Sequence, residues 1–488
     1  MKRSIVTGMT QYLPAQVVPA LVGFFSIPIL THLFPPADYG NYVLVVGTVS
    51  VFTTFLGLFS TSIVRFYPAC EKEGTLAEIH ATVLLIAFLI LLFFTLLFVA
   101  ILIVARSALS PGLAALMKVG VALFVGQSIF LVLPEFFRAK QRITLFSGIA
   151  IWRSLAGIGF GLLLVLGFHL GIEGMLWGSI LGMLFALPFT WKRAVGDVSF
   201  TSRHVSWPLG LQMVGFGLPL VIGNLSSRII YLSDRYILEF SRSSQEVGIY
   251  SASYDIADRT VMLIATLFAL TSGSIAFHVW EKEGEQKSRE LATSLTRFYL
   301  MVALPAAVGL GILARPLIAV LTGSGYHDGA RIIPIVILGV FFFGLQQRYQ
   351  IGLFFHKKTR LIMVSVVTAG IVNVGLNVLL IPRYGFMAAA FITLFSYVLL
   401  LALMVLLSRR YFTWDFPGRS LARIAASSAF MAGMVMLVQA VLPWSGMKAL
   451  LACLFTGVVC YLLGLVLVKE IRISEIKAAL GERSWMRR

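Results

Sequence analysis

The sequence predicts an all-α integral membrane protein of about fourteen transmembrane helices, and three observations support this. The chain of 488 residues is 59% hydrophobic and only 12% charged, with a mean hydropathy of +0.92, whereas soluble domains carry about a quarter charged residues. Apolar runs of about 20 residues, the length that crosses a bilayer, recur from one end to the other. Basic residues concentrate in alternate loops between these runs.

Each span is placed where a long apolar run lies between polar or turn-forming residues. The first run follows Met1-Lys2-Arg3 without a small-residue cleavage pattern, so we interpret it as a transmembrane helix and not as a signal peptide. The predicted spans are residues 10–33, 41–64, 80–105, 113–137, 143–168, 172–191, 208–238, 247–278, 291–314, 331–355, 361–381, 386–408, 421–441 and 447–468.

The distribution of Lys and Arg predicts the orientation of these spans. Twenty-seven of the 39 basic residues fall at the two termini and in the loops that follow even-numbered spans, against six in the opposite loops. Because cytoplasmic loops are enriched in Lys and Arg, both termini are predicted to be cytoplasmic. The net charge of +18 is therefore a topology signal, and nucleic acid is not an expected partner. The three cysteines have no metal-binding or disulfide spacing, and neither a cofactor nor a metal is expected.

An internal repeat divides the chain. Gly40-x-Tyr42 recurs as Gly248-x-Tyr250. The tetrapeptide Glu-Lys-Glu-Gly occurs twice, ending once at Gly74 and once at Gly284, and Gly171 corresponds to Gly385. The offsets of 208, 210 and 214 residues grow slowly, as in a duplication with small insertions. Parallel repeats of this kind are a known transporter plan, with the substrate at their interface. The predicted domains are an N-terminal lobe (1–200, spans 1–6), a C-terminal lobe (201–412, spans 7–12) and an addition (413–488, spans 13–14 with a basic tail).

Four stretches of the chain carry a resemblance to a known family: FPPADYGNY (34–42), SDRYIL (233–238), VGIYSA (247–252) and NVLLIPRYG (377–385). They resemble the bacterial polysaccharide exporters, the O-antigen and exopolysaccharide flippases of the multidrug/oligosaccharidyl-lipid/polysaccharide superfamily. The resemblance covers essentially the whole chain. It implies two helical lobes around a central cavity, and movement of an undecaprenyl-diphosphate-linked oligosaccharide from the inner to the outer leaflet.

Charged residues within the spans are the candidate substrate ligands, because charges at such depth are costly and usually functional. Arginine matches phosphate geometry with two parallel hydrogen bonds, so these side chains are predicted to line a cavity that binds a diphosphate and acidic sugars. The alternative is structural: Asp234 and Arg235 form a clasp with the next span, and Arg348 extends to the interface. The candidates are Arg65, Arg153, Arg228, Arg235, Asp255, Asp258, Arg259 and Arg348.

Three rival functions remain. A membrane polysaccharide polymerase, ligase or glycosyltransferase is disfavoured, because the outward loops are short and carry no carboxylate pair, His cluster or Asp-rich motif. A multidrug exporter of the same superfamily is disfavoured because the predicted cavity is basic. A lipid II-type flippase is distinguished least well. The expected partners are a lipid-linked oligosaccharide, membrane lipids and, as a further hypothesis, polysaccharide polymerase and chain-length proteins.

Overall fold

The structure is a computed structural model that describes residues 2–196, 198, 201–441 and 446–471. The chain is all α-helical in this part, apart from short 3-10 turns at 55–57, 202–204 and 324–331. The last residues of the predicted third domain, 472–488, lie outside the described residues. The helices are α1 (Lys2–Leu33), α2 (Pro36–Thr54), α3 (Leu58–Glu73), α4 (Leu76–Ala105), α5 (Pro111–Ala139), α6 (Ile143–Phe168), α7 (Glu173–Val195), α8 (Trp207–Ser241), α9 (Ser244–Ile312), α10 (Ala314–Leu321), α11 (Ile333–Phe355), α12 (Thr359–Ser408), α13 (Gly418–Val441) and α14 (Gly446–Leu467).

The fourteen predicted spans map onto these helices. α2 and α3 run through a 3-10 turn and together form span 2. α9 and α12 each contain two spans, because the backbone leaves helical geometry at Gly284 and Gly385. α10 is a short helix between spans. Among the described residues, ten helices are long and apolar enough to cross a membrane, and α11 is an eleventh if the preceding 3-10 turn, bent from it by 54°, belongs to the same span.

The repeat seen in the sequence has a counterpart in the backbone. Gly74 and Gly284 both have a positive φ, of 74° and 82°, and so do Gly171 and Gly385, of 49° and 62°. Glycine populates this left-handed region without the steric penalty that a Cβ imposes. A third pair of left-handed residues, Gln141 and Lys357, is offset by 216 residues and has a φ of 56° at both positions. The two copies therefore place a positive φ at three equivalent positions between helices.

The chain forms two compact units, Met1–Gly248 and Ile249–Arg488. In the first unit α7 packs against α5 and α6, α1 against α6, and α8 against α2 and α3. Span 7 therefore packs with the helices of the first repeat copy. The predicted division at residue 200 follows the repeat and stays a prediction, since packing and duplication need not share a boundary.

In the second unit α11 packs along α12, and α13 along α14. The hydroxyl of Tyr461 in α14 donates to the carbonyl of Met301 in α9, at 2.6 Å. A second connection joins Arg297 of α9 to the buried carboxylate of Glu470, three residues after the end of α14. The two additional helices are thus tied to α9 by side chains near both of these positions.

Candidate functional site

An open cavity of about 220 Å³ lies within the first unit, where α1, α2, α5, α6 and α7 meet, and the side chain of Arg153 at its wall is exposed. Arg153 of α6 lines this cavity. It lies ten residues from the start of the helix, ~15 Å along the axis at 1.5 Å per residue. The other polar lining residues are Ser26, Tyr42, Gln127, Ser154 and Ser179.

Close packing of α6 against α7 positions one wall of this cavity. A Cβ on Gly178 would overlap the backbone of Gly161, so the two helices approach as closely as small residues permit. The next residue, Ser179, is thereby held against α6, and a Cβ on Gly157 would lie 3.3 Å from its Oγ. The small residues on these two helices thus determine where Ser179 faces the cavity.

The guanidinium of Arg153 has little to compensate its charge. Its Nη1 donates one hydrogen bond, of 3.3 Å, to the carbonyl oxygen of Phe130. No Asp, Glu or His lines the cavity among the described residues, and no ion pair involves Arg153 there. An arginine has five N–H donors, so most of its hydrogen-bonding capacity faces the cavity. This arrangement suits a ligand that brings negative charge.

Arg228 lies in the middle of α8 with an exposed side chain. No hydrogen bond or ion pair connects it to any residue within the described ranges. It shares with Arg153 a mid-helix position and the absence of a carboxylate partner. Its role as a substrate ligand stays a prediction.

Arg235 lies seven residues after Arg228, about two turns further along α8. Its environment is different. Its side chain is fully buried, and Asp234 is buried beside it. Its Nη1 donates to the carbonyl of Tyr231 at 2.6 Å and to Oδ1 of Asp234 at 3.3 Å. The guanidinium also stacks over the ring of Tyr231, 3.8 Å from its centroid. These contacts lie within α8, so they support a structural role for Arg235 but do not show the predicted clasp with the next span, which stays a prediction.

Near the start of the second unit, Asp255 and Arg259 form the ion pair expected from their i, i+4 spacing. Nη2 of Arg259 lies 3.6 Å from Oδ2 of Asp255, and the carboxylate is buried while the guanidinium is 40% exposed. Asp258 on the same helix is half-buried. A carboxylate already shared with an arginine reduces the charge that Arg259 offers to a ligand.

Arg348 of α11 lines a second cavity, of about 340 Å³, between α11 and α9 within the second unit. It is 7% exposed, and its guanidinium lies 5.9 Å from the ring centroid of Tyr299. Arg348 is therefore buried in protein. The structural alternative, in which this side chain extends to an aqueous interface, is wrong for Arg348. Arg65 is exposed on α3. The eight candidate residues divide equally between the two units.

Two groups of polar residues were missed by sequence reasoning, which counted only charges. Gln346, Gln347 and Gln350 accompany Arg348 at the second cavity. On α12, Asn377 Nδ2 donates to Asn373 Oδ1 at 2.9 Å, and Asn373 Nδ2 donates to Ser396 Oγ at 3.1 Å. Amides within apolar spans were the available signal, since buried amides need partners. In the part of the chain that the structure describes, no three His, Cys, Asp or Glu residues form a metal-binding group.

Two curated proteins are similar to the chain in sequence. The probable low-salt glycan biosynthesis flippase Agl15 of Haloferax volcanii is 23% identical over 343 residues, which are 67% of this chain and 68% of the relative. The uncharacterised membrane protein MJ1068 of Methanocaldococcus jannaschii is 23% identical over 284 residues, 56% of this chain and 53% of that protein.

Solved structures show the same fold. The lipid II flippase MurJ in an inward closed conformation aligns with a TM-score of 0.72 at 15% identity, over 93% of this chain and 98% of its own. An inward-facing multidrug resistance MATE transporter of the MOP superfamily aligns with a TM-score of 0.69 at 15% identity, over 83% and 97%. These likenesses establish the all-α fold of about fourteen helices that the sequence predicts.

The family assignment rests on a match that covers more than half of the chain. The family described as polysaccharide biosynthesis protein matches residues 29–331, from the end of α1 to the start of α11. The resemblance to polysaccharide exporters is thereby confirmed at the level of family and superfamily fold, and the chain belongs to the polysaccharide biosynthesis protein family.

Proposed function

We propose that this protein is a flippase that moves a lipid-linked oligosaccharide across the membrane. The family match, the glycan flippase among its relatives and the superfamily fold all favour this function. The observation that carries the proposal at the site is Arg153, a cation in the middle of α6 that faces a polar cavity with no carboxylate among the described lining residues.

The physical argument concerns the cost of that cation. A charged side chain near the bilayer centre costs about 2.5–3.5 kcal/mol on translocon scales, and the hydrogen bond to Phe130 offsets only part of it. An anionic substrate would supply the missing charge. Lipid-linked oligosaccharides carry phosphate, and many carry acidic sugars as well, so they are suitable anions.

The finer assignment is an undecaprenyl-diphosphate-linked repeat unit of O-antigen, capsule or exopolysaccharide, moved across the bacterial inner membrane. The repeat suggests alternating access, in which spans 1–6 and 7–12 move around the transport path. Both termini would lie in the cytoplasm. Polymerase and chain-length proteins are the natural partners, since the exported unit must be assembled.

Multidrug transporters share the superfamily fold, so only the chemistry of the site can distinguish a drug transporter from a glycan flippase. A cationic drug needs acidic groups, and the described lining of the Arg153 cavity offers a cation in their place. A lipid II-type substrate is also an anionic lipid-linked glycan, so the charge of Arg153 does not distinguish it from another lipid-linked oligosaccharide. The flippase Agl15, the flippase MurJ and the MATE transporter are transport proteins by name, which favours transport over an enzymatic function.

The test is an export assay with Arg153 variants in a strain that lacks the native gene. Arg153→Ala should insert at the wild-type level and abolish surface glycan, and Arg153→Lys should restore part of it, because lysine keeps the charge and loses the bidentate geometry. Lys118→Ala is the matched control, since Lys118 is an exposed cation of α5 in the same unit that does not line the cavity. Normal glycan display by Arg153→Ala at wild-type expression would refute the role of this arginine.

A further inference from the structure

We propose that the Arg153 cavity is a subsite for one acidic sugar of the glycan, such as a uronic acid, and that it does not bind the lipid diphosphate. This inference rests on the proposed function and specifies which part of the substrate the cavity recognises. The argument concerns which hydrogen-bond donors and acceptors the cavity walls leave available.

The three serines of the cavity present acceptors to a ligand. Ser154 Oγ donates to the carbonyl of Ala150 at 3.1 Å, and Ser179 Oγ donates to that of Met175 at 3.1 Å. Ser26 Oγ donates to the carbonyl of Gly23 at 2.7 Å. Each hydroxyl proton is thus used within its own helix, while the oxygen keeps lone pairs. A ligand satisfies these oxygens only if it brings hydroxyl groups that donate.

The donors of the cavity are few and close to one cation. Arg153 keeps its guanidinium N–H groups apart from the one bound to Phe130. Gln127 adds an amide and Tyr42 a phenol, each of which can donate or accept. One fixed positive charge matches one carboxylate, which the arginine fork binds with two hydrogen bonds.

A diphosphate fits this chemistry poorly. It carries at least two negative charges and its linking oxygens have no protons, so the serine oxygens would face further acceptors. A uronic acid brings one carboxylate and several hydroxyl donors on a single ring. The cavity, of about 220 Å³, is large enough for one sugar ring. The geometry therefore points to a polyhydroxylated monoanion.

Binding to the purified full-length chain in lipid nanodiscs tests this assignment. The probes are D-glucuronate, D-glucose and inorganic phosphate, each measured by ligand-induced thermal stabilisation, which rises with ligand concentration relative to Kd. Glucuronate should stabilise the wild type and Lys118→Ala, and should have no effect on Arg153→Ala. Ser154→Ala and Ser179→Ala should each weaken glucuronate binding about fivefold, the effect of one lost hydrogen bond, whereas glucose should bind too weakly to stabilise any variant.

Three results would overturn the proposal. Equal stabilisation by phosphate and glucuronate, insensitive to the serine changes, would indicate a simple anion site. Equal stabilisation by glucose would show that the charge of Arg153 is not used, and no stabilisation by any probe would show that the cavity is not a binding site. The export assay is independent of these results: a wild-type chain that exports glycan without binding glucuronate disproves the subsite alone, and one that binds glucuronate without exporting glycan disproves the proposed function alone.

Discussion

Two arginines of α8 occupy opposite environments, and replacement should affect them in different ways. Arg235 is fully buried and pairs with buried Asp234. Arg235→Ala should destabilise the protein by roughly 3–5 kcal/mol, because removal of one partner leaves the other charge buried. Arg228 is exposed, so Arg228→Ala should change stability by less than about 0.5 kcal/mol while it reduces glycan export.

Thermal unfolding in detergent, measured beside surface glycan, separates the two roles. A lower melting temperature for Arg235→Ala with normal temperatures for Arg228→Ala supports a structural role for the first residue. If Arg235→Ala melts with the wild type and exports no glycan, Arg235 is a ligand and the packing argument for it is wrong.

At the scale of elements, the repeated glycines of α2 and α9 form a reciprocal crossing. A Cβ on Gly40 would overlap the carbonyl oxygen of Ser244, and a Cβ on Gly248 would overlap that of Pro36. Each glycine thus contacts the residue four positions before the other glycine. Gly248 follows Gly40 by 208 residues, and Ser244 follows Pro36 by the same number. The two repeat copies use equivalent positions in one contact, which only glycine permits at this separation.

This contact predicts what a larger residue does. Gly40→Val or Gly248→Val should separate the two helix starts, and a cysteine in place of Val247, which is fully buried beside Gly248, should then react faster with a water-soluble thiol reagent. Gly215→Val is the control, because nothing described lies within 4 Å of a Cβ there. Cys70, Cys453 and Cys460 are buried, and the parent chain measures their background. Unchanged labelling in both glycine variants would mean that the crossing does not shield Val247 from water.

A second element-scale prediction concerns the attachment of α13 and α14. The side chain of Glu470 is 1% exposed and accepts a hydrogen bond from Arg297 of α9 at 2.6 Å, with Arg423 of α13 at 3.5 Å. Glu470→Ala removes the partner that these two arginines share and should lower stability by roughly 1–3 kcal/mol. The exposed pair Lys287–Glu290 is the control, since Glu290→Ala should cost under about 1 kcal/mol. Equal melting temperatures for the two variants would show that Glu470 does not fasten these helices.

For the whole molecule, sequence patterns predict elements better than they predict sites. Spans were predictable because hydropathy acts over twenty residues at a time, and repeat positions because a turn such as that at Gly284 needs a left-handed residue. Depth along a span identified Arg153, although its cavity depends on packing between α6 and α7 that no single segment encodes. The different burial of Arg228 and Arg235 was not predictable, since seven residues of spacing place them on one face and only the neighbouring helices distinguish them.

The last prediction is the topology of the chain, which the distribution of charge determines. Twenty-seven basic residues on one side against six on the other correspond to a strong positive-inside bias. The order of the helices adds a structural constraint, because Ser110 precedes α5, Ser243 joins α8 to α9, and Glu285 follows the break at Gly284. Fusions to an alkaline phosphatase and a green fluorescent protein, active on the outer and cytoplasmic sides respectively, measure each position. Two reversed positions would break the fourteen-span topology and the parallel alignment of the two copies with it. Fusions at Ser110, Ser243, Gly325 and Ser445 should report the outer side, and fusions at Gly196 and Glu285 the cytoplasm.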